Sequence, residues 1–552
     1  MRANILLSLL FLNLFSLTAQ TFTEILGRPT GQTITLSVLF DTPCNAYVEY
    51  GTSKGVYSNS TLTFTSVTGQ PVVFELTGLT PNTRYFYRTC YKKTAASSYL
   101  AGSEHTFITQ RKPGSTFCFT LEGDPHPYDK KGYHPLWYLT IANQLKDTAD
   151  FLIDMGDTFG DDHQPFTITN EEVKQLHLDC LPFFGSVCHS SPLYLCIGNH
   201  EGESGYYLLQ TPPANLGVYG TVWRNLYYPN PVPNEFYSGN TETEGYGMGK
   251  PANYFAWQWG DALFIVMDAY RYYTVNAKPR GWDWTIGKAQ YDWFKNTLET
   301  SGAKYKFVIT HHILGETRGG AAVAKQFEWG DAANFAANRP GWGTMPIHQL
   351  MVKNKVDVFI QGHDHLFALE KVDNIIYQTA PMPSDSSYCI GVTDNGDAFT
   401  DLIMKGSGHL RFTVSPDSIR VEFVSAVLPK DETAVLKNDQ VVYAYSVKYS
   451  NTTAIPKVGK SVNATLSILP NPARDQFSLQ TGMLEKQIET VRILSLDGKT
   501  LNLFKPEQQT GKNTFVINTT NWSGKPLSDG LYGVLVTFDD HTSMLKNLLV
   551  KH

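Results

Sequence analysis

Between residues 117 and 361 short, wholly apolar runs alternate with longer amphipathic stretches, and five of those runs break off into clusters of Gly, Asp, Asn and His. That rhythm dictates layers of strand and helix. The runs 117–121, 151–155, 193–197, 254–259, 262–268, 305–310 and 356–361 read as strands, while 136–145, 171–184, 289–298 and 346–353 carry helical spacing. Residues 408–426 return to strand alternation and close a sheet. On both flanks the pattern is different: residues 33–40, 46–50, 72–76 and 84–90 alternate with period two and are separated by turn residues, which predicts a small β-sandwich. After a polar stretch at 451–463, about ninety residues with strand signals at 491–496 and 534–538 and a turn at Asp497-Gly498 predict a second one.

A chain of 552 residues is too long for one core. With 45 Lys and Arg against 51 Asp and Glu it has no basic excess to neutralise a run of phosphates, so coating of nucleic acid is excluded and any phosphate chemistry must be local. Arg2, the apolar stretch 5–17 and the small residues before Gln20 form a secretion signal at 1–20, too short to anchor in a bilayer. No later run is long enough for a transmembrane segment in the mature chain. Seven cysteines cannot all pair and show no C-x-x-C spacing, which argues against a disulfide scaffold or structural zinc; Cys44 and Cys90 remain a candidate bridge between two strands of the first sandwich.

Eleven of the fifteen histidines (126, 134, 163, 177, 189, 200, 311, 312, 348, 363 and 365) lie in the central region. Histidines crowded among carboxylates point to metal. The five clusters are Asp124-Pro125-His126, Gly156-Asp157, Gly198-Asn199-His200-Glu201, Thr310-His311-His312 and Gly362-His363-Asp364-His365. Each follows a predicted strand, and the C-terminal strand ends of a parallel sheet form one rim where distant residues converge. In extended backbone residues i and i+2 share a side, so Asp124 with His126, and His363 with His365, are expected to face one site. The preceding glycines suit sharp turns and close backbone approach. His312 points away on the same reasoning; His134, His163 and His189 have no partner motif and read as loop histidines, and Asp161 and Asp162 as a solvated turn. Arg318 beside Gly319-Gly320 is a weak phosphate candidate. The aromatic connections around Tyr206, Tyr207, Trp223, Tyr227, Tyr228, Phe236 and Tyr246 either shape specificity or pack a subsidiary core.

In this order the clusters resemble the calcineurin-like metallophosphoesterases, the superfamily that includes purple acid phosphatases. The resemblance implies a four-layer α/β/β/α metallophosphoesterase sandwich at 115–428 flanked by two small all-β sandwich domains. It also implies a dinuclear site: one ion on Asp124, His126 and His365, a second on Asn199, His311 and His363, and Asp157 bridging. His200 is then the catalytic acid or phosphate contact, with Glu201 as its orienting neighbour. Two divalent ions bring four positive charges; two carboxylates and a bridging hydroxide, the implied nucleophile, remove three, and the surplus attracts an anionic ester. In purple acid phosphatases the first cluster is Asp-x-Gly and a Tyr ligand follows Gly-Asp by three positions; here His126 and Gly160 stand there, so iron(III) preference is in doubt and Fe, Mn or Zn suit comparably.

The stretch from Phe74 to Tyr87, with Gly78-Leu79-Thr80-Pro81-Asn82-Thr83, resembles the corner of fibronectin type III-like domains, placed at 21–112. Leu469-Pro470-Asn471-Pro472, Gly530-Leu531-Tyr532 and the basic end 546–551 resemble the C-terminal sorting domain of the type IX secretion system, placed at 464–552 after a strand and linker at 429–463. The chain is therefore expected to pass through an N-terminal signal and then, with the type IX machinery as partner, across the outer membrane, to be secreted or held at the cell surface. The expected activity is hydrolysis of small-molecule phosphate esters, monoesters ahead of diesters. Alternatives are a phosphodiesterase with the same site and a surface binding or adhesion protein with an inactive central domain.

Overall fold

The computed structural model describes residues 21–94, 96–128, 132–160, 167–209, 215–275, 279–313, 318–389, 401–449, 466–481, 488–495, 500–504, 514–520, 525–538 and 543–552. The expected signal at 1–20, the polar stretch 451–463, Asp161, Asp162, His163 and the Asp497-Gly498 turn lie outside them. The described residues divide between two compact units that meet in sequence at Ser450 and Asn451.

The first unit opens with a β-sandwich. One sheet pairs β1 (Phe22–Gly27), β2 (Ile34–Phe40) and β4 (Val72–Leu76); the other is built on β3 (Cys44–Gly51), β5 (Arg84–Lys93) and β6 (His105–Ile108). Alternation places Leu36, Val38, Val48, Phe74, Tyr85 and Phe107 in its core. The Tyr85 hydroxyl accepts the Thr80 N–H at 2.9 Å, closing the corner that the Thr80-Pro81-Asn82 turn begins. Across β3 and β5 it is Tyr47 that faces Cys90, while Cys44 faces Lys93, so the candidate Cys44–Cys90 bridge is not formed; all seven cysteines are free thiols.

Two sheets follow, packed face to face. The first has the order β9-β8-β7-β18-β19-β20, from β7 (Phe117–Glu122), β8 (Leu152–Asp154), β9 (Leu193–Leu195), β18 (Ser407–Val414), β19 (Ser418–Ala426) and β20 (Val441–Lys448). The second runs β10-β11-β12-β13-β14-β16-β15-β17, from β10 (Ser238–Gly239), β11 (Phe255–Trp259), β12 (Ala262–Val266), β13 (Tyr305–Ile309), β14 (Val358–Gln361), β15 (Phe367–Val372), β16 (Ile375–Thr379) and β17 (Leu402–Met404). Phe119, Leu121, Phe264, Phe307, Ile309, Ile360 and Phe412 fill the space between the sheets, with Phe119 stacked on Phe412 at 4.5 Å. The intervening positions face outward: Val308 and Phe359 meet α4 (Lys288–Thr300) and α5 (Ile347–Lys353), and Leu152 and Leu193 meet α1 (His134–Lys146), α2 (Asn170–Cys188) and α3 (Leu216–Tyr227). Burial on both faces is why these strands read as continuous apolar runs. The result is four layers, helix, sheet, sheet, helix. The strand Val441–Lys448 within the segment read as strand and linker pairs with β19 and belongs to the first sheet.

The sandwich is joined to these layers away from the C-terminal strand ends. Arg111 grips Asp150, at the entry to β8, through 2.7 and 2.9 Å bonds, and the Tyr87 hydroxyl donates to the carbonyl of His189, just past α2. The long connections between β9 and β11 mostly pack: Tyr227, Tyr228 and Tyr237 are buried, and only Tyr246 of the aromatics named above is exposed.

The second unit is a smaller sandwich: β21 (Leu466–Leu469), β22 (Gln476–Thr481) and β25 (Thr514–Asn518) form one sheet, and β23 (Ile488–Leu494), β24 (Thr500–Phe504), β26 (Gly530–Phe538) and β27 (Ser543–Val550) the other. Its core holds Leu479, Val491, Ile493, Val534, Val536 and Leu548.

Candidate metal centre

All five clusters lie just beyond strand ends, but of two sheets rather than one. Asp124, Asp157 and Asn199 follow β7, β8 and β9, which run parallel; His311, His363 and His365 follow β13 and β14, also parallel to each other. The site therefore straddles the seam where the sheets meet. Asp124, His126, Asp157 and His365 bring ligand atoms within 4.8 Å of one another, and so do Asp157, His311 and His363. Asp157 is common to both groups: its Oδ2 lies 3.5 Å from His126 Nε2, 3.2 Å from His311 Nε2 and 3.9 Å from His200 Nε2.

The pairing of i and i+2 residues arises differently from the extended backbone expected. Asp124, His126, Asp157, His363 and His365 all have positive φ, between 40° and 68°. Left-handed backbone in a non-glycine residue costs roughly 1–2 kcal/mol each, so five together are held by their surroundings. Neighbouring atoms do the holding. The His363 N–H donates to both Asp124 oxygens at 2.9 Å, the Asp124 N–H bonds the Gly156 carbonyl, and the His200 N–H reaches Asp157 Oδ1 at 2.8 Å. Glycine is required for tightness more than for turning: a Cβ on Gly198 would lie 2.2 Å from Asp157 Oδ1, and one on Gly362 2.5 Å from Asp124 Oδ2.

Glu201 has a role other than the one expected. Its carboxylate accepts N–H bonds from Asp157, Thr158, Phe159 and Gly198, and so pins the loop that carries Asp157 instead of orienting His200. Asp154 braces the same turn by accepting from Gly156 N–H and the Thr158 hydroxyl. Neither role is visible in sequence, because most of the donors are backbone N–H groups and those of Glu201 lie largely on a different loop. At position 160 a Cβ would sit 1.3 Å from the His200 carbonyl, so no side chain fits there and a tyrosinate is excluded by space as well as by sequence.

Several observations fit a pair of cations. His311 Nδ1 lies 2.8 Å from the Met155 carbonyl, which can only accept; Nδ1 therefore donates, and Nε2 is the nitrogen turned into the site. His363 Nε2 and Asn199 Oδ1 are buried without a hydrogen-bond partner among the described residues. His126 Nε2 and His365 Nε2 lie 3.0 Å apart, and His365 lies 3.4 Å from Asp124 Oδ1, close to the ~3.0–3.4 Å separating ligand atoms placed ~2.1 Å from a shared ion. Burial would raise the Asp157 carboxyl, yet His311 and His200 hold it well below the usual range; burial would depress the His311 imidazole, yet Asp157 and Asp124 push it up to about 10. Sealed carboxylates here demand positive charge, and no lysine or arginine makes an ion pair with Asp124 or Asp157 among the described residues. His200, at 7% exposure, is the most open of the clustered histidines, its ring edge-on to His126 at 4.7 Å. His312 is fully buried behind His363, its Nε2 on the Gly319 carbonyl at 3.2 Å. His134 bonds the Pro127 carbonyl, and His189 packs against His105, the rings tilted and 3.9 Å apart, at the join with the sandwich.

Residues 119–367 match the calcineurin-like phosphoesterase family, and residues 467–551 the secretion system C-terminal sorting domain. Among solved structures the chain is similar to that of PhoD, with 13% identity, a TM-score of 0.55 and coverage of 77% of this chain and 90% of that one. It is also similar to purple acid phosphatase PPD1 from seeds of yellow lupin (Lupinus luteus), with 15% identity, a TM-score of 0.51 and coverage of 78% and 74%. At such identities the likeness is one of fold. No curated protein matches the sequence. No helix among the described residues is long and apolar enough to cross a membrane. The central layers, residues 119–367, thus belong to the calcineurin-like phosphoesterases, and the last sandwich, residues 467–551, to the C-terminal sorting domains that mark proteins for export.

Proposed function

We propose that the protein is an exported hydrolase of phosphoric esters, acting on small monoesters, with Asp124, His126 and His365 holding one cation, Asn199, His311 and His363 a second, and Asp157 bridging the two. The observation that carries this reading is the single Asp157 oxygen placed between the two donor groups, 3.5 Å from His126 and 3.2 Å from His311. When bound, two such ions supply Lewis acidity that polarises a phosphoryl oxygen and acidifies water. Asp157 and Asp124 set the local charge, Glu201 fixes the loop that aims Asp157, and His311 Nδ1, tied to Met155, leaves Nε2 as the nitrogen that faces the ions. His200 stands at the open edge, where its imidazolium donates a proton to the departing alkoxide. Iron, manganese and zinc all suit this mixed imidazole and carboxylate set. The 21–112 sandwich is read as a fibronectin type III-like brace, the signal at 1–20 as the first export step, and the sorting domain as the handle for the type IX machinery.

The test is elemental analysis of the purified protein together with assays against a nitrophenyl phosphate and the matching bis-ester. Two transition ions per chain with faster monoester turnover supports the proposal. Faster bis-ester turnover converts it to a phosphodiesterase, and no metal under any loading condition ends it.

A further inference from the structure

We infer that Arg318 is the residue that reads the charge of the substrate: its guanidinium contacts the phosphoryl group and favours a monoester dianion over a diester monoanion. The inference rests on the phosphoesterase reading above. Arg318 Nη1 donates to the carbonyl of His363 and lies 3.4 Å from Asp364 Oδ1, which seats the guanidinium at the edge of the second donor group. Its side chain is nevertheless 33% exposed where that of Asp364 is sealed.

The backbone beneath it is braced from several directions. Gly319 donates its N–H to Asp364 Oδ2 at 3.1 Å, its carbonyl receives His312 Nε2 at 3.2 Å and Gln361 Nε2 at 3.4 Å, and Ala321 donates to Glu370 Oε2 at 2.7 Å. These bonds give Asp364 and His312 work that the metal motifs leave unassigned: they hold Arg318 in place. Among the described residues the hydrogen bonds of Arg318 use Nη1, one nitrogen of a five-donor planar fork whose geometry suits a phosphoryl group. Charge counting explains why a cation is useful there. Two divalent ions, two carboxylates and one hydroxide leave a single positive charge, a match for a diester monoanion; Arg318, its own charge partly answered by Asp364 at 3.4 Å, adds N–H donors for the further charged oxygen of a monoester dianion.

The test compares Mn²⁺-loaded wild type with Arg318→Gln and Arg318→Lys. Metal content is measured first, then the affinity for inorganic phosphate by calorimetry, then kcat/KM on a nitrophenyl phosphate and its bis-ester. Arg318→Gln is expected to keep its metal and to weaken phosphate binding about 10- to 100-fold. It should also lose at least about tenfold more kcat/KM on the monoester than on the diester, with Arg318→Lys recovering part of both losses. Unchanged phosphate affinity, equal losses on the two esters, or loss of metal in either variant would overturn the assignment; the last would make Arg318 a prop for His363. If wild type turns over neither ester, the reading of function falls and phosphate titration alone decides the role of Arg318.

Discussion

Asp150 and Asp157 stand at opposite ends of β8, each only 2% exposed, and their surroundings are opposite too. Asp150 receives both nitrogens of the Arg111 fork and the Trp259 indole N–H at 2.9 Å, so its charge is answered by fixed groups. Asp157 faces three imidazoles, sits in left-handed backbone and has no arginine or lysine paired with it among the described residues. A sealed carboxylate given a permanent counter-charge is a rivet between domains. One denied it is a place for a cation that arrives from outside.

That contrast is broken or sharpened by substitution. Asp157→Ala should abolish ester hydrolysis and cut metal content; near-normal turnover would remove the bridge from the proposal. His200→Ala is expected to keep both ions and lower kcat by about 10²- to 10⁴-fold, and departure of metal would make His200 a ligand instead of an acid. Asp150→Ala should do the reverse of Asp157→Ala: about 3 kcal/mol of stability lost in denaturant titration, with kcat of the folded fraction unchanged. A matching loss of kcat there would show that the two ends of the strand are coupled.

Smaller effects follow from histidines away from the site. Burial, and then the facing His105 ring, pushes His189 down to about 4, and burial pushes His177 down to about 4. Both lie below the ~6.5 of an unfolded chain, so the unfolded state binds more protons between those values; the stability is complete above about pH 6.5 and drains as pH falls toward 4, at most about 3 kcal/mol per group. Denaturant midpoints across that window should fall less steeply in His189→Gln, and an unaltered slope would remove His189 from the account. Least of all, truncation after Ser450 should leave kcat/KM unchanged, because the two compact units part there; a measurable drop would tie the sorting domain to catalysis.

How much of this was legible depended on range. The five clusters stood out because an apolar run ends abruptly where a strand leaves the core, and that boundary is written locally. The number of sheets was not, since an apolar strand reads alike in one parallel sheet or in two packed face to face; Phe119 stacked on Phe412, nearly 300 positions later, decides it. The left-handed turns were hidden as well. Asp124 precedes Pro125, which locally favours extended backbone, yet its φ is 62° because the His363 N–H and the Gly156 carbonyl hold it there. The partners of Glu201 are backbone N–H groups, which carry no sequence signature.

The residue order by itself determined the layer rhythm, the C-terminal sorting motifs and the kinds of side chain available to a metal, for these depend on periodicity and chemistry that each segment carries alone. Tertiary structure decided which carboxylate is neutralised and which left open, which glycines must lack a Cβ, and which arginine overlooks the site. Those outcomes turn on contacts between strands far apart in the chain, where distances of a few ångströms, absent from any local pattern, set the sign and size of the interaction.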